Sequence, residues 1–365
     1  MLNTDLQPEL AATDWGAEPQ DADRDVGIAD VQAAAEVIAE HLDPTPLVRH
    51  PLLAEATGCD LWVKLENAQP VGSFKIRGTL NMLAAMTPEQ RGRGLVTATR
   101  GNFGQSLARA ATLYGTRCTI FVPEGNRPDK NRAMEATGAR IIVQGHDFDA
   151  AWDASVRWAR RENAVSVHPA RHAAIVAGQG TVALEMLEQV TRPFDVIIVP
   201  VGGGSLAAGT AITVKALSPQ TRVIAVQAEN APAFHHAWHS GRYEPFRATE
   251  TIADGLATRI PVRYTVEIMR RLVDDFILVS EREIQEAVRC LLETVHQLAE
   301  GGGAAALAGA LQLRESLAGQ RVGVVLTGGN IDLATLRDIV VNRPSPHQPR
   351  AMPMFPMASL DYGDR

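Results

Sequence analysis

A lysine follows a loop and opens a helical pattern in the sequence Val71-Gly72-Ser73-Phe74-Lys75-Ile76-Arg77-Gly78. Residue types that break regular structure precede it, and apolar residues follow it at helical spacing. Ser73 is of a type that commonly caps a helix. We therefore expect Lys75 in the first turn. There the positive end of the helix dipole and partial burial both favour the neutral amine that a Schiff-base lysine needs.

The composition indicates a globular protein and excludes several classes of function. The 365 residues are 45% hydrophobic and 21% charged, which suffices for one large or two medium domains. The formal net charge is -7 and no run of Lys or Arg stands out, so neither nucleic acid nor a membrane is an expected partner. The three cysteines lie far apart without a CxxC pair, which favours a cytoplasmic protein over a disulfide framework or a zinc site.

Short β-branched runs alternate with amphipathic stretches over most of the chain. This alternation is typical of parallel sheets covered on both faces, and nine strands are many for one open sheet. We therefore predict an α/β protein with two doubly wound sheets in two domains. The predicted strands are 61–65, 95–99, 118–122, 140–143, 164–167, 196–201, 223–227, 276–279 and 322–326. The predicted helices include 28–41, 105–114, 129–137, 147–160, 175–189 and 281–299.

Two glycine-rich turns each lie between a predicted strand and a predicted helix. The first, residues 99–105, exposes amides at a helix start that can hold a carboxylate, and Asn102 could reach a ring hydroxyl. The second contains Gly202, Gly203 and Gly204 followed by Ser205, a nest of N–H donors suited to a phosphate. It is neither GxGxxG nor a Walker loop. Plain strand-to-helix turns are the alternative interpretation for both.

Two further stretches belong to the same pattern. Thr327 follows the last predicted strand, so its neutral hydroxyl is expected at the carboxyl edge of a sheet, where ligands of open α/β sheets bind. Glu300 precedes three glycines and is interpreted as the end of a helix, placed where a carboxylate could act in a cleft. Simple helix termination is the alternative for Glu300, and a plain turn is the alternative for Thr327.

Taken together, these residues resemble the fold-type II pyridoxal-phosphate enzymes, specifically the threonine/serine dehydratase and serine racemase group. The resemblance covers roughly residues 30–340, in the family's order. It rests on Thr45-Pro46-Leu47, Lys64-Leu65-Glu66, residues 73–78, residues 101–105, Ala177-Gly178-Gln179-Gly180-Thr181, residues 202–206, Asp254-Gly255, Glu300 and Thr327-Gly328-Gly329-Asn330. It implies a fold like that of the tryptophan synthase β subunit, with pyridoxal 5'-phosphate in the cleft between two domains, and a homodimer or homotetramer.

The resemblance also implies roles for individual residues. Lys75 would bind the cofactor covalently and take the Cα proton. Asn102 would contact the cofactor's ring hydroxyl, and Thr327 its pyridine nitrogen. The implied cofactor-binding residues are Phe74, Lys75, Asn102, Gly202, Gly203, Gly204, Ser205, Leu206, Glu300 and Thr327. The implied substrate-binding residues are Thr99, Arg100, Gly101, Asn102 and Phe103.

The implied domain organisation has a small mobile domain, residues 94–170, inserted into a large cofactor-binding domain. The large domain comprises residues 30–93 and 171–342, and residues 1–29 and 343–365 are expected to form tails. The small domain carries the Asn102 loop. Its closure over the substrate would therefore complete the site and exclude water.

The implied reaction is a β-elimination that removes water and ammonia from a 3-hydroxy amino acid, with L-threonine and L-serine as leading substrates, to give a 2-oxo acid. A neutral Thr327 does not keep the ring nitrogen protonated, which suits elimination better than transamination. Four alternatives stay open. They are a dehydratase of a bulkier or acidic substrate (phenylserine, hydroxyaspartate or an intermediate of hydroxyectoine breakdown), an amino-acid racemase, a β-replacement enzyme and a non-catalytic cofactor-binding protein.

The sequence departs from the family pattern at two informative places. Arg100 stands where the racemase has its acid/base serine, so racemisation by a serine there is not expected. Arg100 either meets a second acidic group of the substrate or pairs with a surface acid. Glu229 and the Ala233 carbonyl match a racemase-like metal site, but His235 replaces its carboxylate, and no metal is predicted.

Overall fold

A computed structural model describes residues 24–246 and 250–341 of the chain. The strands are β1 (Leu47–Arg49), β2 (Asp60–Leu65), β3 (Leu95–Ala98), β4 (Cys118–Val122), β5 (Ala139–Val143), β6 (Val165–Ser166), β7 (Val196–Pro200), β8 (Arg222–Ala228), β9 (Asp275–Val279) and β10 (Arg321–Leu326). The helices are α1 (Ile28–Ala39), α2 (Pro51–Thr57), α3 (Lys75–Ala85), α4 (Pro88–Arg93), α5 (Asn102–Leu113), α6 (Pro128–Ala136), α7 (Phe148–Glu162), α8 (Ala173–Glu188), α9 (Ser205–Leu217), α10 (Ala233–Ser240), α11 (Arg263–Leu272), α12 (Glu281–Thr294), α13 (Gly301–Gln312) and α14 (Leu333–Val341).

The strands form two separate sheets. The larger has the order β1-β2-β10-β7-β8-β9 and is parallel except for β1, which pairs antiparallel with β2. The smaller has the order β5-β4-β3-β6 and is parallel throughout. The predicted α/β class with two doubly wound sheets is thus confirmed. We call residues 95–166 the small lobe and the other described residues the large lobe. The domain limits stay a prediction, and the predicted tails lie almost entirely outside the described residues.

Both faces of the large sheet are covered by helices, as its continuous apolar strands predict. Along β7, Ile197 and Val199 pack on one side with α8 and α9, whereas Val196 and Ile198 pack on the other side with α12 and α13. These four residues are fully buried. Because side chains alternate across a strand, one apolar run can serve both layers, and β7 is held rigidly at the centre of the sheet.

Every predicted strand is present, and each end lies within one residue of the predicted position. The strand β1 was missed because it is only three residues long. The predicted helix 281–299 was too long, since α12 ends at Thr294 and His296 takes the left-handed backbone conformation (φ 57°). The prediction that Glu300 ends a helix was wrong, because Glu300 is the N-cap residue of α13.

Ser73 does not cap the lysine helix, which corrects the expectation from its residue type. Phe74 occupies the N-cap position, and no side chain there accepts a bond from the helix. Ser73 instead pairs with Gly328 in an antiparallel bridge, and the Phe74 amide donates to the Thr327 carbonyl at 3.1 Å. These bonds tie the entry of α3 to the end of β10, so the first turn of α3 lies at the carboxyl edge of the large sheet.

A buried group of charges anchors the first turns of α3. The Arg77 guanidinium donates to Glu66 (Nε to Oε2 at 2.8 Å, Nη2 to Oε1 at 2.7 Å) and to Glu185 (Nη1 to Oε1 at 2.5 Å). Lys64 donates to Glu185 Oε2 at 2.6 Å, and Thr45 donates to Glu66 Oε1 at 2.6 Å. Arg77, Lys64 and Glu66 are fully buried. Two cations thus balance two anions, and Arg77 ties α3 to the end of β2 and to α8.

We expect Arg77→Met to lower the unfolding free energy by about 3–5 kcal/mol, because it leaves Glu66 buried without its bidentate partner. The measurement is urea unfolding of the cofactor-free protein. Arg282→Met is the matched control, since Arg282 forms an exposed pair with Glu286 (2.9 Å) and should cost about 0.5 kcal/mol or less. Equal losses in the two variants would contradict the anchoring role.

Candidate active site

A cleft opens where the carboxyl ends of the strands of both sheets face each other. Its empty space is about 430 Å³, counted out to the open mouth. Most segments that line it follow β2, β3, β7 and β10 or begin helices α3, α5, α9 and α13, and a 3-10 turn (Asp254–Leu256) contributes the rest. The lining residues are Phe74, Lys75, Asn102, Pro200, Gly202, Gly203, Gly204, Ser205, Leu206, Gly255, Leu256, Glu300, Gly302 and Thr327.

Lys75 is the first residue of α3 and faces this cleft, as predicted. Its ammonium nitrogen lies 5.0 Å from the centre of the Phe74 ring. Burial lowers the pKa of Lys75, and the carboxylates of Glu300 and Asp254 act in the opposite direction. The lowered pKa increases the fraction of neutral amine, the form that can act as a nucleophile or a base.

The glycine stretch between β7 and α9 forms a tight cradle at the start of α9. Gly204 is the residue before the helix and has φ 83°, a conformation that L side chains rarely adopt. A Cβ at Gly202 would collide with the Gly255 carbonyl, and one at Gly203 would come within 2.9 Å of the Ala170 Cβ. The free amides at the start of α9 suit an anionic group such as a phosphate.

Asn102 and Glu300 meet across the cleft, one from each lobe. The Asn102 amide donates to Glu300 Oε1 at 2.5 Å, and its oxygen accepts from Asn330 Nδ2 at 2.8 Å. Asn330 also donates to the Val71 carbonyl at 2.9 Å. One Nδ2 hydrogen of Asn102 remains for a ligand, because a primary amide carries two. The chain of bonds therefore orients Asn102 between the loop before Lys75 and Glu300.

Glu300 is buried and close to another acid. Burial, and next the Asp254 carboxylate, raise the pKa of Glu300 to about 7, while Lys130, the bond from Asn102 and Lys75 act in the opposite direction. The carboxyl group thus titrates near neutral pH. It can exchange a proton with a neighbouring group under ordinary conditions.

Thr327 and the loop of residues 99–103 complete the site. The Thr327 hydroxyl donates to the Gly302 carbonyl at 3.3 Å and brings no charge to the cleft. In the loop, the Gly101 amide donates to the Thr99 hydroxyl at 3.2 Å, and both Thr99 and Phe103 are buried. The loop leads directly into the first turn of α5, where free amides can hold a carboxylate.

Arg100 lies apart from the other predicted site residues. It is exposed and close to Asp149. Burial raises the pKa of Asp149, and the charges of Arg259 and Arg100 offset only part of this rise. All ten predicted cofactor-binding residues line the cleft, and Thr99, Gly101 and Phe103 flank Asn102 in its loop. Pro200, Leu256 and Gly302 were missed because each contributes through position and no motif signals it.

Within residues 24–246 and 250–341 there is no group of three His, Cys, Asp or Glu side chains that could hold a metal ion. His235 and His239 face each other with their Nε2 atoms 3.1 Å apart, one turn apart on α10. No helix of the described segments is long and apolar enough to cross a membrane.

The cleft residues fit pyridoxal phosphate by their chemistry. The Gly202–Ser205 amides would take the phosphate, Lys75 would take the aldehyde, and Thr327 offers a hydroxyl for the ring nitrogen. Gly202, Gly203 and Gly204 support this fit, because a Cβ at any of them would collide with a neighbouring atom. The turn therefore presents backbone amides, and no side chains, to a ligand.

Comparisons with known proteins agree with this fit. The family model described as "Pyridoxal-phosphate dependent enzyme" matches residues 38–328. An L-threonine ammonia-lyase of Thermotoga maritima is 36% identical over 318 residues, which cover 87% of this chain and 79% of that protein. An L-threonine ammonia-lyase of Geobacter sulfurreducens is 38% identical over 314 residues, 86% of this chain and 77% of that protein. The solved structure of maize serine racemase superposes with a TM-score of 0.82 at 33% identity, covering 87% of this chain and 97% of that one. The resemblance inferred from the motifs is confirmed.

We expect Gly202→Ala to weaken binding of pyridoxal phosphate by about tenfold or more, since the new methyl group must displace the Gly255 backbone beside the cradle. Equilibrium dialysis of the cofactor against the cofactor-free protein measures the loss. Gly92→Ala is the matched control, because a Cβ there meets nothing within 4 Å. Unchanged affinity in Gly202→Ala would place the phosphate elsewhere.

The raised pKa of Glu300 has a consequence for stability. Unfolded, this carboxyl has an ordinary pKa of 4.5, whereas folded it has a pKa of about 7. Between these values the folded state binds more protons, so stability falls as pH rises, by the order of 3 kcal/mol in all. Glu300→Gln removes this dependence.

The measurement is the unfolding free energy of the cofactor-free protein at about pH 5 and about pH 8, for the wild type and Glu300→Gln. We expect the variant to gain stability relative to the wild type at the higher pH. Glu286→Gln, at an exposed position, is the control and should show no such gain. A constant difference between Glu300→Gln and the wild type would show that Glu300 titrates normally.

Proposed function

The chain belongs to the family of pyridoxal-phosphate-dependent enzymes, and we propose that it is an ammonia-lyase that acts on L-threonine and L-serine. It removes water and ammonia from the 3-hydroxy amino acid and releases the 2-oxo acid. The two L-threonine ammonia-lyases that resemble it over most of their length support this assignment.

One observation carries the proposal. Lys75 faces a cleft into which three other helices point their N-terminal ends, α5 from the small lobe and α9 and α13 from the large lobe. The N-cap residue of α13 is the acid Glu300, which leaves α5 and α9 for anionic ligands. Two anion sites thus flank one amine of lowered pKa. A phosphorylated cofactor and the carboxylate of an amino acid are the two anions that this arrangement suits.

The roles follow from the positions of the side chains. The α5 amides and the loop of residues 99–103 hold the substrate carboxylate and turn Cα toward Lys75. Pyridoxal phosphate, when bound, supplies the electron sink that makes the Cα proton acidic. Lys75, as a neutral amine, takes that proton. Asn102 would hold the ring hydroxyl of the cofactor through the Nδ2 hydrogen that Glu300 leaves free.

Thr327 and Glu300 favour elimination over other reactions of this family. The hydroxyl of Thr327 is neutral, so it does not hold a proton on the ring nitrogen as a carboxylate would. Elimination tolerates this because the electrons leave at once with the β-hydroxyl group. Glu300, with a pKa of about 7, is a proton reservoir near the reacting atoms.

Racemisation is the second candidate, favoured by the likeness to maize serine racemase. It needs an acid/base group on the substrate face opposite Lys75. Arg100 stands at that place in the loop, but it is exposed and close to Asp149. The same observation argues that Arg100 does not bind a second carboxylate of an acidic substrate such as hydroxyaspartate. We therefore rank the ammonia-lyase first.

The finer expectations about organisation complete the proposal. Residues 94–170 form a small domain that closes over the substrate, and the large domain holds the cofactor. The protein is cytoplasmic and assembles as a homodimer or homotetramer. Sedimentation analysis of the purified protein tests the assembly.

The decisive measurement is 2-oxo acid formation by the cofactor-loaded protein. The substrates are both enantiomers of threonine and of serine, phenylserine and the hydroxyaspartate isomers. We expect product from L-threonine and L-serine, and none above background from Lys75→Ala, which lacks the base. Gly92→Ala is the control for a neutral substitution.

The other outcomes separate the alternatives. D-serine formed from L-serine without 2-oxo acid would establish the racemase. Product from hydroxyaspartate alone would make Arg100 a substrate ligand, which Arg100→Met would verify. No product from any substrate, with the cofactor bound and its visible absorbance intact, would contradict the ammonia-lyase.

A further inference from the structure

Lys130 and Asp254 form an ion pair across the mouth of the cleft. Lys130 lies on α6 of the small lobe, and Asp254 begins a short 3-10 turn (Asp254–Leu256) of the large lobe. The Lys130 side chain is 13% exposed and that of Asp254 is 36% exposed. The pair is thus shielded enough from water for its charges to act on neighbouring groups.

The two partners adjoin the two anion-binding loops of the cleft. A Cβ at Gly101 would come within 3.2 Å of the Lys130 Cδ, so the lysine stem covers the carboxylate-binding loop. On the other side, the carbonyl of Gly255, next to Asp254, packs directly against Gly202 of the phosphate cradle. The ion pair therefore joins the carboxylate loop of one lobe to the phosphate loop of the other.

Both charges also reach the interior of the site. Glu300 faces Asp254, Lys130 and Lys75 as charged neighbours and receives the bond from Asn102. Asp254 makes the proton on Glu300 harder to lose, whereas Lys130 makes it easier to lose. Asp254 additionally stabilises the charged form of Lys75. The ion pair thus acts electrostatically on Glu300 through both partners and on Lys75 through Asp254 alone.

We propose that Lys130 is a positioning residue whose ion pair with Asp254 closes the two lobes over the substrate and brings a positive charge to Glu300 as the cleft closes. When the lobes separate, Lys130 moves away with α6 while Asp254 stays beside Glu300 on the large lobe. Glu300 then faces an unpaired carboxylate and holds its proton more tightly. Closure returns Lys130 and makes that proton available to the reacting atoms.

Other ion pairs join the same lobes and provide matched comparisons. Arg127 pairs with Asp332, and Arg259 donates to Asp147 at 2.8 Å and lies 3.1 Å from Asp149. The charges that act most on Glu300 are instead Asp254, Lys130 and Lys75. Loss of Arg259 should therefore loosen closure without a change at Glu300, whereas loss of Lys130 should do both.

The first test measures closure without any turnover. Amide hydrogen exchange of the segments 101–113 and 128–136 is followed in the cofactor-loaded protein. We expect faster exchange in Lys130→Met, Asp254→Asn and Arg259→Met, and no change in Arg282→Met, whose surface pair lies on α12. Lys130→Arg keeps the charge and should restore slow exchange. Unchanged exchange in Lys130→Met would show that the ion pair between Lys130 and Asp254 does not hold the lobes closed.

The second test separates the charge effect from closure. The pH dependence of kcat/KM and of the visible absorbance of the bound cofactor is recorded for each variant. We expect the Glu300 transition to move up by about one pH unit in Lys130→Met and down by about one in Asp254→Asn. Arg259→Met should leave it in place. In all three variants KM should rise about fivefold, the value of one partly shielded ion pair.

The inference rests on the proposed function only in its kinetic readout. If the ion pair were purely structural, the pH of the Glu300 transition would shift in the same direction in Lys130→Met and Asp254→Asn, or would not shift. Either result would overturn the charge effect. Lack of 2-oxo acid formation by the wild type would contradict the ammonia-lyase. Hydrogen exchange would still test whether the ion pair holds the lobes closed, and the visible absorbance would still test its charge effect on Glu300.

Discussion

The bidentate bond between Arg77 and Glu66 is the interaction on which the geometry of the site depends. It fixes α3 two residues after Lys75, and Glu185 holds the same guanidinium from α8. Buried charges are weak evidence for net stability, because desolvation offsets much of their attraction. Their directional bonds nevertheless permit one orientation of α3, whereas an apolar contact would permit several. The main effect of the network is thus to orient Lys75 toward the cleft, in addition to any contribution to the stability of the core.

In the proposed site, backbone amides bind the anionic groups and side chains transfer the protons. The proposed anion sites are made of helix N-termini and glycine turns. There is no space for a side chain there, since a Cβ at Gly204 would lie 2.7 Å from Thr265 Oγ1. The proposed proton-transfer groups, Lys75 and Glu300, are instead side chains whose pKa values burial moves toward neutrality. Binding therefore tolerates no added atoms, whereas reactivity depends on the charges nearby.

The sequence predicted the sheets and the glycine loops well, because both depend on local patterns. Every β-branched run became a strand, and the Gly202 and Asn102 loops lie at the carboxyl ends of strands as expected. Features decided by tertiary contact were missed. Ser73 looks like a cap but is drawn into a bridge with Gly328, and Lys130 meets Asp254 from 124 residues away. No periodicity encodes such pairs, since they exist only once two lobes are packed.

Two contacts of different kinds, a hydrogen bond and an ion pair, join the small lobe to the surroundings of Glu300. Asn102 and Lys130 both belong to that lobe, and both reach Glu300 or its neighbour Asp254 on the large lobe. A motion of α5 and α6 away from the large lobe would therefore break the hydrogen bond from Asn102 to Glu300 and the ion pair together. Lys75 stays on the large lobe throughout, held by the Arg77 network. In the proposed mechanism, the open cleft would keep the base Lys75 in place, whereas Glu300 would hold its proton more tightly than in the closed cleft. In that mechanism, proton transfer is coupled to closure and to the exclusion of water.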